Sequence, residues 1–213
     1  LLNSYLSRRT SSSYLEIGVR NGENYFAIDA HRKFGVDPNY FFAKRALMKS
    51  LLRRNNWTQK MFRCTSDYFF LKYASQTCSK QKFDLIFVDG MHTYEQSLMD
   101  AINGLRFLKP DGWLVFHDCN PWCEESAQPN IPSGKVSWNG DVWKTIYHLR
   151  QYQEIFECFT YDADEGLGVL KLKSNAVDLN LLDISTQLSI KNMTYDDLQK
   201  NRDEYLGLRK LEL

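Results

Sequence analysis

The sequence lacks a strong net charge and a long apolar run. Its 213 residues contain 27 Lys and Arg against 26 Asp and Glu, which gives a formal net charge of +1. A balance this even gives no reason to expect nucleic acid or a membrane surface as a partner. The longest apolar runs are far shorter than the roughly 18 residues that a membrane-spanning helix needs. With 43% hydrophobic and 25% charged residues, the composition is that of an ordinary globular protein.

The sequence also lacks a cysteine framework, an internal repeat and a low-complexity tract. Its five cysteines are odd in number and scattered along the chain. That pattern is typical of reduced thiols, and we recognise no signal peptide, so we expect a cytoplasmic protein. His117, Cys119 and Cys123 resemble part of a zinc site, but Pro121 interrupts the run and a fourth ligand is not evident.

The stretch Phe83–His92 organises the rest of the chain. Its apolar residues Leu85–Val88 are too few for a helix and suit a strand buried on both faces of a parallel sheet. Asp89 and His92 follow where that strand stops. In open α/β sheets ligands bind beyond the carboxyl ends of the strands, so both side chains are candidates for a ligand site.

Strand and helix patterns alternate along most of the chain. Strands are predicted at 14–19, 33–38, 60–64, 83–88, 113–118, 155–160 and 167–172. Helices are predicted at 24–31, 40–54, 66–76, 94–108 and 141–152, with Ser66 or Asp67 as a cap and Lys109–Gly112 as a stop. This order predicts an α/β fold, a doubly wound Rossmann-like and mostly parallel sheet of about seven strands with helices on both faces.

The same patterns predict the organisation of the chain. We expect one domain over residues 1–173 and a helical extension over residues 174–213. Residues 120–139 form a long irregular segment rich in proline, which is typical of a lid or a binding loop. Trp122, Trp138 and Trp143 flank it and suit either packing or stacking on a ligand.

The first predicted strand ends in a turn suited to an adenosine-containing ligand. Gly18 and Gly22 allow a tight turn and a close approach of the backbone. Asp37 ends the second strand about 20 residues later, where an acid binds ribose hydroxyls in nucleotide-binding folds. Dinucleotide sites place a glycine where Arg20 stands. Glu16 would repel a pyrophosphate but suits the cationic end of S-adenosylmethionine (SAM).

These motifs together resemble the class I SAM-dependent methyltransferases, and among them the small bacterial branch related to metal-dependent sugar O-methyltransferases. The resemblance runs from Tyr14 to about Leu172. The residues that carry it are Leu15–Gly22, Gly35–Pro38, Ser66–Asp67, Val88–His92 with Tyr94, Leu108–Gly112 and His117–Asp118.

The resemblance implies a role for each cofactor-binding residue. Glu16, Gly18 and Gly22 would frame the methionine end of SAM, and Asp89 would lie beside them. Asp37 would bind the ribose. The adenine would be reached by Ser66 and Asp67.

The resemblance also implies a divalent cation, with Mg²⁺ as first choice. Asp89 and Asp118 would bind the ion, and His92 would be the general base that takes the proton of the acceptor hydroxyl. The related group has an acid where this chain has His117, which makes a mixed site of nitrogen and oxygen ligands the alternative.

We therefore predict a SAM-dependent O-methyltransferase that acts on a small-molecule or glycan hydroxyl, with a homo-oligomer as a further expectation. Two rival hypotheses are an NAD-type oxidoreductase and a non-catalytic SAM-binding module.

Overall fold

The computed structural model describes residues 1–42, 47–48, 50, 59–78, 81–133, 137–174 and 187–211. These residues form two compact units. The first comprises Leu1–Gly90 and Asn103–Leu114, and the second comprises Met91–Ile102 and Val115–Leu213. None of the helices in the described ranges is long and apolar enough to cross a membrane.

One sheet runs through the described residues, in the order β3-β2-β1-β4-β5-β7-β6-β8. Its strands are β1 (Ser13–Ile17), β2 (Arg32–Val36), β3 (Lys60–Phe62), β4 (Phe83–Val88), β5 (Leu108–Phe116), β6 (Phe156–Tyr161), β7 (Leu167–Leu172) and β8 (Leu208–Arg209). The mostly parallel α/β sheet is confirmed. It has eight strands where about seven were predicted, because β8 lies in the segment that we expected to be helical.

In the first unit, parallel strands bring their carboxyl ends to one edge. Strand β1 pairs with both β2 and β4, and Ile17 lies opposite Val36 on one side and Val88 on the other. Every residue of β1 and β4 is buried, as expected for central strands of a parallel sheet. The turns after β1, β2 and β4 therefore meet at the same edge.

The described helices of the first unit are α1 (Leu2–Leu6), α2 (Glu23–Ala27), α3 (Ser66–Tyr68) and α4 (Ser75–Cys78), and a π-helical turn (Phe69–Ala74) joins the last two. The helix predicted at 24–31 is shorter in the structure, whereas the helix predicted at 66–76 is a continuous helical run that reaches Cys78. The prediction of Ser66 or Asp67 as a cap was wrong. Thr65 is the cap, because its side chain accepts a hydrogen bond from the Tyr68 amide at 3.3 Å. The predicted helix 40–54 lies mostly outside the described residues.

The boundary before β5 also differs from the prediction. The helix α5 (Tyr94–Leu105) ends earlier than expected, and Phe107 closes the turn by donating its amide to the Gly104 carbonyl oxygen. The predicted stop at Lys109–Gly112 is instead part of β5. Lys109 holds it there, since its ammonium lies 2.8 Å from a carboxylate oxygen of the buried Asp84.

The second unit contains the antiparallel pair β6 and β7 and the helices α6 (Trp143–Arg150), α7 (Gln187–Lys191) and α8 (Tyr195–Leu206). The helix α8 begins with a capping box between Thr194 and Asp197 and ends at Gly207 in the left-handed region. The chain then adds β8 parallel to β6. Arg150 fixes this arrangement by donating to the carbonyl oxygens of Cys158 and Glu204.

Candidate active site

The turn after β1 alternates between ordinary and left-handed backbone. Gly18, Arg20 and Gly22 have φ angles of +87°, +47° and +82°. A Cβ atom on Gly18 would lie 1.9 Å from the carbonyl oxygen of Asp89, so only glycine fits there. Arg20 carries a Cβ in the same backbone region, and its amide donates to Asp37 Oδ2 at 2.7 Å. That hydrogen bond helps to offset the strain and fixes the path of the turn.

Glu16 is a buried acid directly before this turn. Its carboxylate oxygen Oε2 accepts hydrogen bonds from the Tyr14 hydroxyl at 2.5 Å and from the Asn24 amide at 3.0 Å. Tyr14 and Glu16 share one face of β1 because side chains alternate along a strand. Burial raises the pKa of Glu16 to about 8; the bond from Tyr14 opposes that rise, and the negative charge of Asp89 adds to it.

The other predicted cofactor-binding residues lie in the same unit. Asp37 is nearly buried, and its second oxygen accepts the Asn39 amide at 2.6 Å. Asp89 is partly exposed and donates its amide to the Ile17 carbonyl oxygen at 2.8 Å. Ser66 is buried and Asp67 is exposed in the first turn of α3.

His92 lies in the second unit with its Nδ1 atom against the backbone. Nδ1 is 2.7 Å from the carbonyl oxygen of Trp138 and 3.3 Å from Asp118 Oδ2. The imidazole also stacks on the indole ring of Trp138, with 4.9 Å between ring centroids and 23° between planes. A carbonyl oxygen only accepts, so Nδ1 carries a proton and Nε2 holds the lone pair of the neutral ring.

Asp118 follows β5 and is 4% exposed, with a φ of +62°. Its Oδ1 atom accepts the Asn139 amide at 2.9 Å, and Oδ2 faces the Nδ1 atoms of His92 and His117. The second nitrogen of His117 lies 3.5 Å from a carboxylate oxygen of Asp164. Asp118 therefore lies among N–H donors, and it aligns the imidazole of His92.

Asn139 is a residue that the sequence reasoning missed. Its amide nitrogen faces Asp118 Oδ1 and also Glu165 Oε2 at 3.2 Å, so a flipped amide would set oxygen against oxygen. The side-chain oxygen is buried and reached by no donor among the described residues. Because Asn139 lies 21 positions after Asp118, no local pattern in the sequence indicated the pair.

The three tryptophans around the long segment have different surroundings. Trp138 stacks on His92, Trp143 is buried, and Trp122 is 64% exposed. His117, Cys119 and Cys123 do not form a cluster of metal ligands in the described part of the chain. Cys119 is fully buried and directs its sulfur at backbone carbonyl groups.

Comparison with known proteins identifies the family of the chain. A family model described as a methyltransferase domain matches residues 11–119. No curated protein sequence matches the chain. These 109 residues, slightly more than half of the chain, include both candidate acids and His92.

Solved structures share the fold at low sequence identity. A Klebsiella pneumoniae protein has a TM-score of 0.60 and 12% identity over 81% of this chain and 78% of its own. An O-methyltransferase from Bacillus cereus in complex with S-adenosylhomocysteine (SAH) has a TM-score of 0.59 and 11% identity, over 81% of this chain and 79% of its own. TomG from Streptomyces achromogenes, an O-methyltransferase of tomaymycin synthesis in complex with SAM, has a TM-score of 0.58 and 14% identity, over 81% and 78%.

The family match and the fold together define a methyltransferase with a Rossmann-like sheet. The chain belongs to the methyltransferase-domain family, and the predicted resemblance to class I SAM-dependent methyltransferases is confirmed.

Proposed function

We propose that this methyltransferase transfers the methyl group of SAM to a hydroxyl oxygen of a small molecule or glycan, with His92 as general base. The observation that carries this proposal is the seating of His92 Nδ1 against the Trp138 carbonyl oxygen and Asp118 Oδ2. A base whose first ring nitrogen is fixed by a carboxylate and a carbonyl presents the second nitrogen in a defined direction.

The first unit supplies the cofactor-binding residues of this proposal. Glu16 is buried, and the nearby charge of Asp89 disfavours its ionised form. A cationic ligand relieves that repulsion, and SAM is a cation at its sulfonium and at its amino group. Gly18 and Gly22 frame its methionine end. The Asp37 carboxylate has about four acceptor positions, and the backbone amides of Arg20 and Asn39 use two of them. The remaining positions accept hydrogen bonds from the ribose hydroxyls.

Ser66 and Asp67 complete the cofactor site on the adenine side. They begin α3, whose cap at Thr65 fixes the first turn of the helix. Ser66 is buried and Asp67 is exposed, so a substitution of Asp67 would disturb the packing less than a substitution of Ser66.

The second unit supplies the proton acceptor. SAM provides the methyl group and leaves as SAH. As the hydroxyl oxygen bonds to the methyl carbon, His92 Nε2 accepts the hydroxyl proton, and Asp118 stabilises the imidazolium that forms. Such a base contributes about 10²- to 10⁴-fold to the rate.

A divalent cation is the alternative that the sequence resemblance implies. The ligands that the resemblance implies are Asp89 and Asp118, with His117 for a mixed site, and carboxylate and imidazole groups are ligands of the right kind. Nδ1 of His92 faces a carbonyl oxygen and carries a proton, so Nε2 is the one nitrogen of His92 that could bind an ion. The proposal assigns that same nitrogen to the acceptor proton, and one lone pair cannot serve both roles. Both oxygens of Asp118 also face nitrogen donors. The two ring nitrogens of the predicted ligand His117 face the carboxylates of Asp118 and Asp164. We therefore derive no step through a metal.

The test is methyl transfer to a panel of hydroxyl acceptors. Wild type, His92→Gln and the matched control His31→Gln, which changes an exposed histidine, are incubated with methyl-labelled SAM and catechols, phenols or sugars. We expect SAH and a labelled ether from wild type and His31→Gln, and a rate at least 10²-fold lower from His92→Gln. SAH binding measured by calorimetry is expected to be equal in all three.

Two results would contradict the proposal. Calorimetry that shows NAD binding and no SAM binding would favour the oxidoreductase. SAM binding without transfer to any acceptor, or equal rates in wild type and His92→Gln, would favour the binding module or another base.

A further inference from the structure

Trp138 contacts His92 in two independent ways. Its indole ring stacks on the imidazole, and its carbonyl oxygen lies 2.7 Å from His92 Nδ1. One contact restrains the plane of the ring, and the other fixes which nitrogen carries the proton. Together they leave the imidazole a single orientation.

The residues after Trp138 hold the backbone of His92 as well. The Asp141 amide donates to the His92 carbonyl oxygen at 3.2 Å. A Cβ atom on Gly140, whose φ is +63°, would lie 1.7 Å from that same oxygen. Asn139 binds the carboxylate of Asp118, the other partner of Nδ1. Residues 138–141 therefore contact both members of the His92–Asp118 pair.

This segment is itself anchored to the protein. The Trp138 Nε1 atom donates to the Gln128 carbonyl oxygen at 2.8 Å. The amides of Asn139 and Gly140 both donate to the Ser126 carbonyl oxygen, at 3.0 and 2.9 Å. The Tyr94 amide, two residues after His92, donates to the Asp141 carboxylate at 2.7 Å. A segment fixed at this many points can orient another side chain.

We propose that Trp138 is a positioning residue of the methyl transfer, which holds His92 in the tautomer and orientation that present Nε2 to the acceptor hydroxyl. The inference rests on the proposed role of His92 as base. Without the indole ring, the imidazole gains other orientations, in which Nδ1 turns away from the Trp138 carbonyl oxygen and Nε2 points away from the acceptor. The rate falls because fewer molecules hold the base correctly, while SAM binds as before.

The test replaces the ring and keeps the backbone. Trp138→Leu removes the stacking face, and Trp138→Phe restores a flat ring without the indole nitrogen. Trp122→Leu is the matched control, because Trp122 belongs to the same long segment and is largely exposed. Nitrogen-15 NMR of the histidine rings reads the tautomer of His92 and needs no acceptor. Turnover is measured with the acceptor that the panel above identifies.

We expect wild type and Trp122→Leu to show His92 as the Nδ1–H tautomer. In Trp138→Leu we expect a mixture, with kcat lowered by about threefold to tenfold and the KM for SAM unchanged. Trp138→Phe is expected to restore most of the Nδ1–H tautomer of His92 and most of the wild-type kcat. If Trp138→Leu fails to fold, as judged by thermal unfolding and SAH binding, Trp138→Met replaces it, because methionine also lacks an aromatic ring.

An unchanged His92 tautomer together with an unchanged kcat in the aliphatic variant would overturn this inference. A kcat and KM that change together, with no rescue by phenylalanine, would also overturn it, since that pattern indicates general damage. Failure of the proposed function is a separate result. It would appear as equal rates in wild type and His92→Gln, whatever the NMR of Trp138→Leu shows.

Discussion

The hydroxyl of Tyr14 donates a hydrogen bond to the carboxyl group of Glu16, two residues further along the same face of β1. Both side chains are buried. A carboxyl group buried in this way prefers its proton, and the pKa of Glu16 is raised to about 8, chiefly by burial and also by the negative charge of Asp89. The unliganded protein therefore contains an acid that is largely neutral at pH 7, and a bound cation is expected to ionise it.

The first prediction concerns Glu16 and pH. Between its ordinary pKa of 4.5 and about 8, the folded protein holds a proton that the unfolded chain has released. The free energy of unfolding should therefore fall as pH rises through this window, by up to a few kcal/mol. Glu16→Gln should remove that slope, and the exposed Glu23→Gln should keep it. Urea unfolding at pH 5, 6.5 and 8 measures the effect, and identical slopes in the Glu16→Gln variant and wild type would count against it.

The second prediction concerns the close approach at Gly18. Gly18→Ala sets a Cβ atom 1.9 Å from the Asp89 carbonyl oxygen in a left-handed backbone, so we expect a loss of more than about 2 kcal/mol in stability. Gly90→Ala is the control, since the nearest atom to a Cβ atom at position 90 would be Ile17 Cγ2, at 3.3 Å. Thermal unfolding compares the two. Equal unfolding midpoints for Gly18→Ala and Gly90→Ala would contradict the close approach of Gly18 to the Asp89 carbonyl oxygen.

The third prediction concerns Asp84, which is buried at the start of β4. Burial alone would raise the pKa of Asp84, but hydrogen bonds from Lys109 and Ser13 outweigh it, and the pKa is lowered. The stabilisation that follows is present above pH 3.8 and is lost as pH falls below that value. Asp84→Asn should cost roughly 2 kcal/mol or more, because Lys109 loses its partner. The exposed Asp111→Asn should cost less than about 1 kcal/mol, and denaturant unfolding at pH 7 separates them.

The fourth prediction concerns the partner carboxylate of the base. Asp118→Asn keeps the shape of the side chain, and asparagine tolerates the left-handed backbone at this position. The amide cannot stabilise an imidazolium, so we expect a kcat at least tenfold lower with unchanged SAH affinity. Asp164→Asn is the control, since Asp164 has a similar backbone angle and is 77% exposed. A larger loss in Asp164→Asn than in Asp118→Asn would contradict the assignment.

Much of the sheet was predictable from the sequence because its strands are short apolar runs with clear ends. Leu85–Val88 cannot form a helix on their own, and their burial on both faces leaves no polar alternation. Boundaries were less predictable. Lys109–Gly112 has the residues of a turn, yet the ion pair between Lys109 and Asp84 keeps it in β5. That contact joins residues 25 positions apart, and no local pattern reports it.

The candidate site was predictable in part for the same reason. Glu16 lies within a strand, Asp89 directly follows one, and His92 and Asp118 lie a few residues beyond strand ends, where ligands bind. Trp138 and Asn139 were not predictable, because they belong to an irregular segment and meet His92 and Asp118 only through the tertiary fold. The proposed role of His92 rests on those two contacts as much as on the motif that first indicated it.

The most direct test of the account is the initial rate of labelled methyl transfer by chelator-treated protein, before and after Mg²⁺ is restored. With His92 as a base held by Asp118 and the Trp138 carbonyl oxygen, the account predicts the same rate in both states, and at least a 10²-fold loss in both for His92→Gln. A rate that appears only when Mg²⁺ is present would contradict it, and would return Asp89 and Asp118 to the role of metal ligands.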